Sequence, residues 1–232
     1  MIGEYNVVAR IRCDYVSKFG IPRQSGIISE SEAVIIFEPE YRSREAIRGL
    51  EDYNYVWLIW LFSENIGKGF RPTVRPPRLG GNSRVGVFAT RSPFRPNPVG
   101  LSSVRLTGID HDAAEGPLLH VAGADLMDGT PIIDIKPYIP YADIHTDATG
   151  GFSDTVRNHS LKVGEGLELL RNMPEKKAEV LKRLLEQDPR PAYHDEPGRV
   201  YAFEYAEYHV EFCVEDDIVR VLRIQSIKDS GQ

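Results

Sequence analysis

The chain has 232 residues, 41% hydrophobic and 27% charged, which places it among ordinary globular proteins with room for one large core or two smaller ones. No stretch approaches the roughly 18 uninterrupted apolar residues of a membrane helix. The start, Met1-Ile2-Gly3-Glu4-Tyr5, lacks the basic and apolar segments of a secretion signal, so a cytoplasmic protein is expected.

Taken in chain order, the first half reads as β-structure. Tyr5 to Ile11 suits an opening strand, Ala33 to Phe37 is a β-branched run, and Tyr55 to Phe62 is another. Between the last two, Tyr41 to Leu50 suits a short helix ending at Gly49. Arg84 to Thr90 and Gly100 to Leu106 read as strands separated by a loop too rich in proline for regular structure. Leu118 to Ala122 and Pro131 to Ile135 continue the series. Long crossover helices are missing, which argues for antiparallel pairing and hence a barrel or a strongly curled sheet. Composition shifts near Asp147 to Arg157, where Thr149-Gly150-Gly151-Phe152 resembles a linker. Pro174 to Gln187 follows as a helix, with proline in its first turn and Val180, Leu181, Leu184 and Leu185 on one stripe. It ends before Asp188-Pro189, because the residue preceding proline avoids helical geometry. Three more strands, Val200 to Tyr205, His209 to Val214 and Ile218 to Ile227, complete a smaller unit. The expected fold is mainly β: an antiparallel β-barrel domain over residues 1–150 and a smaller α+β C-terminal domain over 151–232.

Several chemistries have no foothold. Cys13 and Cys213 are far apart without ligand-like spacing and read as reduced thiols; the six histidines are scattered singly, so no metal site is expected. There is no P-loop and no GxSxG elbow. Gly164-Glu165-Gly166 reads as a turn rather than a dinucleotide loop, since Glu168 occupies the position of a third glycine.

The net charge of −6 argues by itself against a nucleic-acid partner, but its distribution does not. No acidic residue falls between Glu64 and Asp110, whereas Lys68, Arg71, Arg75, Arg78, Arg84, Arg91, Arg95 and Arg105 all do. Such a segment suits phosphate contacts; the alternative is that these arginines answer the acids of Asp110 to Asp154. Its centre is unusual. Pro93, Pro96 and Pro98 fix φ within one short loop, so little entropy is lost when it holds a ligand. Arg91 and Arg95 flank Pro93 and can aim two forks into one site. Gly80-Gly81 allows a close backbone approach. A rigid loop that merely closes the barrel is the competing reading.

These residues resemble a known signature. Val74 to Asn82 and Gly86 to Leu101 resemble the central blocks of the TsaA-like (TrmO) family, the tRNA N6-threonylcarbamoyladenosine methyltransferases. Gly20 to Gly26, Leu50 to Asn65, and Asp125 to Tyr141 are similar to its other blocks, in the same order. Asp188-Pro189-Arg190-Pro191-Ala192-Tyr193 resembles a motif of longer, bacterial-type members with an added C-terminal domain. The resemblance implies a β-barrel enzyme that uses S-adenosylmethionine to methylate N6 of threonylcarbamoyladenosine beside the tRNA anticodon, as a homodimer. It places cofactor contacts at Pro22, Arg23, Gln24, Ser63, Glu64, Arg91, Leu101, Asp128, Gly129, Thr130 and Pro131. Ser63-Glu64 departs from the His-Gln pair of some members. Asp134 and Tyr138 are candidates for handling the N6 proton, against a structural ion pair of Asp134 with Lys136 or an arginine. Arg75, Arg78, Arg84, Arg95 and Arg190 are candidates for contacting the anticodon stem-loop. Two rival readings use the same residues: a non-catalytic RNA-binding barrel, and a methyltransferase acting on a metabolite or protein.

Overall fold

A computed structural model describes residues 5–76, 83–155, 159–190, 196 and 198–228. Six strands close into a barrel: β1 (Ala9–Arg12), β2 (Glu32–Phe37), β3 (Tyr55–Leu61), β6 (Val99–Asp110), β7 (Leu118–Ala122) and β8 (Pro131–Pro137). Their order is β1-β2-β7-β6-β3-β8, every pair is antiparallel, and β8 returns to β1 through Ala9↔Ile132 and Arg10↔Pro131. Closure leaves no unpaired edge to template aggregation.

The period-2 pattern explains which side chains enter. In Tyr55-Val56-Trp57-Leu58-Ile59-Trp60-Leu61, Val56, Leu58 and Trp60 point inward, joined by Ala9, Ile11, Ala33, Ile35, Val104, Leu119, Val121 and Ile132. Two elements differ from the sequence expectation. Tyr41 to Leu50 forms no α-helix but short 3₁₀ turns at Pro39–Tyr41, Arg44–Ile47 and Leu50–Asp52, because Ile47 alone among them is buried. Arg84 to Thr90 pairs only at β5 (Val85–Gly86), against β4 (Thr73–Val74); the chain then turns 3₁₀ at Val87–Ala89.

Beyond the barrel, α1 (Pro140–Asp143) and α2 (Phe152–Thr155) are single turns. A second sheet orders β10 (Tyr201–Tyr205), β11 (Tyr208–Glu215), β12 (Ile218–Ser226) and β9 (Lys162–Glu165), with β9 parallel to β12. The helix α3 (Glu175–Glu186) covers it with Val180, Leu181, Leu184 and Leu185. This second core also takes in Tyr15 and Ile28 from the segment joining β1 to β2. Further ties secure the seam: Ala206 N donates to Asp14 O at 2.7 Å, and Lys177 bridges Asp14 (3.3 Å) and Glu207 (2.7 Å). Gly20 sits so close to Phe203 that a Cβ there would lie 2.4 Å from the ring. The seam matters because the same joining segment carries Pro22, Arg23 and Gln24. No helix among the described residues is long and apolar enough to cross a membrane.

Candidate active site

A cleft of about 530 Å³ opens where β3 and β6 meet the segment 18–24 and the loops around 62–65 and 90–95. That is within the size range of small-ligand sites. Its floor is Trp60 lying across Gly100, where a Cβ would fall 2.3 Å from the indole; only glycine lets the ring lie so low. Phe62 packs against Trp60 at 4.3 Å between ring centroids. Trp60 Nε1 donates to Ser102 Oγ (3.0 Å), and Ser102 Oγ donates to Asp125 Oδ1 (2.6 Å). Burial pushes the Asp125 carboxyl above its ordinary range, and the Ser102 hydrogen bond and the Arg91 charge only partly oppose this.

The rim is cationic. Arg91 donates to Gln24 Oε1, which fixes its guanidinium over the cleft. Arg95 donates to Thr90 O (2.6 Å) and Val87 O (3.1 Å), so one side of its fork holds the proline-rich loop in shape. Arg23 donates to Asp188 O across the seam. Asp188 is itself clamped by Arg190, through Nε at 2.7 Å and a second nitrogen at 3.0 Å, and faces His159 at 3.4 Å. Burial works to raise the Asp188 carboxyl, but the hydrogen bonds and charge of Arg190 outweigh it and the net shift is downward. On the opposite wall Lys18 pairs with Glu64 at 3.2 Å.

Of the residues singled out in the sequence, Pro22, Arg23, Gln24, Ser63, Glu64, Arg91, Arg95, Leu101 and Thr130 line this one cleft. Asp128, Gly129 and Pro131 do not. Asp128 accepts from Cys13 N at 2.9 Å and Gly129 turns the chain with φ +72°, a geometry that presents the buried Thr130 to the cleft. Asp134 and Tyr138 also lie outside it. Asp134 pairs across the sheet with Ile59, which pairs with Leu101, so Asp134 shares Leu101's outer face about 10 Å away, two strand spacings. There it accepts from Ile135 N (2.9 Å) and pairs with Lys136 (2.7 Å), the structural alternative weighed for it. Tyr138 packs on Trp57 at 5.5 Å. Arg75 and Arg84 are exposed on the short β4–β5 hairpin, Arg84 donating to Thr73 Oγ1 at 3.0 Å. Arg190, expected on the RNA side, is instead mostly buried with its fork occupied by Asp188. Arg78 lies outside the described residues.

Sequence reasoning missed Asp125, Ser102 and the Trp60–Gly100 contact. Asp125 had a legible signal: it is the single acid in the apolar stretch Val121 to Met127. Ser102 had none, since a serine in a strand acquires meaning only from what lies across from it.

A closed antiparallel barrel with an aromatic-floored, arginine-rimmed cleft at its mouth defines a β-barrel protein built to hold a small anionic or zwitterionic ligand, distinct from open α/β nucleotide folds. Residues 10–144 match the family model of the tRNA-methyltransferase O N-terminal domain, and residues 159–227 that of the TrmO C-terminal domain. The chain belongs to the tRNA-methyltransferase O family. It is 38% identical to the tRNA (adenine(37)-N6)-methyltransferase of Escherichia coli, over 92% of this chain and 94% of that protein. It is 39% identical to a Pseudomonas aeruginosa protein, RcsF, provisionally named an S-adenosylmethionine-dependent methyltransferase, over 94% and 95% of the two chains. A crystal structure of TrmO from Pseudomonas aeruginosa superposes with a TM-score of 0.76 at 32% identity, covering 97% of this chain and all of that one.

Proposed function

We propose that this protein methylates N6 of an adenosine beside the anticodon of tRNA, with S-adenosylmethionine as donor and with that adenosine already carrying a threonylcarbamoyl group. The observation that carries the reading is the convergence of Arg23, Gln24, Arg91, Leu101 and Thr130, from three separate sequence blocks, on one cleft.

The residues present suit such a donor. Arg91, steadied by Gln24, and Arg23, steadied by Asp188, are placed to meet a carboxylate. Trp60, Phe62 and Leu101 offer apolar walls to an adenine, and Glu64 offers an acceptor to hydroxyl or amino groups. Bound there, S-adenosylmethionine supplies a methyl group activated by its sulfonium charge. The protein's share is alignment, since an in-line displacement gains most from holding the reacting atoms in register. Methylation exchanges an N6–H bond for an N6–CH₃ bond and leaves one proton to be taken up. Of the two carboxylates lining the cleft, Glu64 is paired with Lys18, and Asp125 is in no ion pair among the described residues. Asp125, its carboxyl raised above the ordinary range by burial, is the one assigned to take up that proton. Asp134, already neutralised by Lys136 on the outer face, does not line the cleft of its own copy.

The same reading makes the protein a homodimer. Leu101, 54% exposed, and half-buried Trp57, Ile59 and Leu61 form an apolar outer face contiguous with the cleft, suited to cover by a second copy.

The test is titration of the purified protein with S-adenosylmethionine and, separately, with tRNA. Saturable donor binding at submillimolar concentration, with methyl transfer that requires tRNA, is the expected result. RNA binding without donor binding favours a non-catalytic barrel, and turnover indifferent to added tRNA favours a metabolite or protein substrate.

A further inference from the structure

Beside the cleft lies a surface that cofactor binding does not use. Val87 is 1% exposed and anchors the 3₁₀ turn that follows β5; its N–H donates to Pro72 O at 3.0 Å. The geometry of that turn throws the next residue outward, and Phe88 is 71% exposed. Phe70, 50% exposed, stacks beside it with ring centroids 6.4 Å apart and planes 27° from parallel. One guanidinium lies against the pair, and a second lies on a neighbouring ring. Arg95, which also lines the cleft, lies 5.5 Å from the centre of the Phe88 ring, and Arg71 lies 4.3 Å over neighbouring Phe94.

An isolated exposed phenylalanine needs no explanation. Two stacked ones are a different matter: hydrogen bonds from Arg95 and Thr90 fix the turn that carries Phe88, and Arg71 N donates to Phe94 O at 3.2 Å beside Phe70, so both rings are held in water. The electrostatics select the occupant. Among the described residues none of Arg71, Arg84, Arg91 and Arg95 forms an ion pair, and no acidic residue occurs between Glu64 and Asp110. An apolar protein partner would leave these cations desolvated and unpaired. An RNA strand satisfies both features at once, with its phosphates on the arginines and its unstacked bases on the rings.

We propose that Phe70 and Phe88, with Arg95 against Phe88 and Arg71 on neighbouring Phe94, form a stacking platform that receives an unpaired base of the anticodon loop next to the one being methylated. This rests on the reading of the chain as a tRNA methyltransferase. The platform holds a neighbouring base while the target enters the cleft, so Arg95 joins the two subsites.

The test compares the wild type with the double variant Phe70→Ala/Phe88→Ala and with Phe88→Trp. Both positions are exposed, so the variants should fold, and thermal melting verifies it. Stacking losses of this kind raise the KM for tRNA about 5- to 100-fold in the double variant. Donor affinity and kcat at saturating tRNA should not change, and Phe88→Trp should keep near-wild-type KM. A salt titration adds an independent readout. The alanine variant should keep the wild-type slope of log affinity against log salt, whereas Arg71→Gln should reduce it by about 0.7, one single-strand phosphate. Wild-type protein methylating tRNA, with an unchanged KM in the double variant, overturns the platform alone. Loss of tRNA affinity accompanied by dissociation in sedimentation also overturns it, and makes the patch a protein interface. If the wild type neither binds nor methylates tRNA, the enzymatic reading falls and the platform with it.

Discussion

The barrel interior and the rim of its mouth are built on opposite principles. Inside, Ile11, Ile35, Leu58, Leu119 and Ile132 are all at 0–1% exposure, held by strand alternation and contact with one another. At the rim, the 62–65 and 87–98 segments bury little; their shape comes from prolines and from arginines donating to carbonyls, as Arg95 does to Val87 and Thr90. An apolar interior tolerates exchange among side chains of similar volume. A rim of this kind does not, because each arginine meets a particular acceptor at a particular distance. Stability is therefore concentrated in one region and chemistry in the other, and substitutions should divide accordingly.

The largest effect is expected inside. Leu58→Ala should cost roughly 2–5 kcal/mol of unfolding free energy in denaturant titration, while the folded fraction binds the methyl donor as before. A donor affinity that fell in step with stability would break the division. Asp125 sits where the two regions meet, and its substitution should sharpen the contrast. Asp125→Asn keeps an acceptor for Ser102 but removes the base, so turnover should fall on the order of a hundredfold. Stability should move the other way. Because the folded-state pKa of Asp125 is raised, the folded protein holds a proton that the unfolded chain has lost, and stability falls as pH climbs through the ordinary carboxylate range towards the raised value. The Asn variant should thus melt higher at neutral pH, with the advantage vanishing below the ordinary carboxylate pKa. Equal melting at both pH values would show that the carboxyl is not desolvated.

At the rim, Arg91→Ala should weaken donor binding at least about tenfold by calorimetry, the scale of one charge-assisted contact, with stability unchanged within about 0.5 kcal/mol. The smallest effect belongs to Arg190→Ala. It loosens Asp188, whose carbonyl receives Arg23, and should lower donor affinity slightly; Arg190→Lys should restore it only in part, since lysine has no bidentate fork. An unchanged affinity would separate the C-terminal unit from the cleft.

The two regions also differed in how much their sequences disclosed. Barrel strands such as Tyr55–Leu61 and Leu118–Ala122 were readable because alternation and β-branching are local properties. The α3 stripe was readable for the same reason. The rim blocks were recognisable as motifs, and Arg23, Gln24, Arg91 and Leu101 do meet, but their meeting depends on barrel closure, which no local pattern encodes. The same limit explains the displaced residues. Asp134 lies on the outer face because its register opposite Ile59 puts it there, and Arg190 turns inward because Asp188 two residues away takes its fork. The Trp60–Ser102–Asp125 chain spans three segments and had no signature beyond one acid in an apolar stretch.

The central claim is that this cleft delivers a methyl group to N6 of a tRNA adenosine. The most direct measurement is nucleoside mass spectrometry of tRNA from cells lacking the protein, before and after incubation with purified protein and isotopically labelled S-adenosylmethionine. The account predicts threonylcarbamoyladenosine beforehand and its labelled N6-methyl form afterwards, with Asp125→Asn strongly slowed. Label on unmodified adenosine, on another nucleoside, or on none would contradict it.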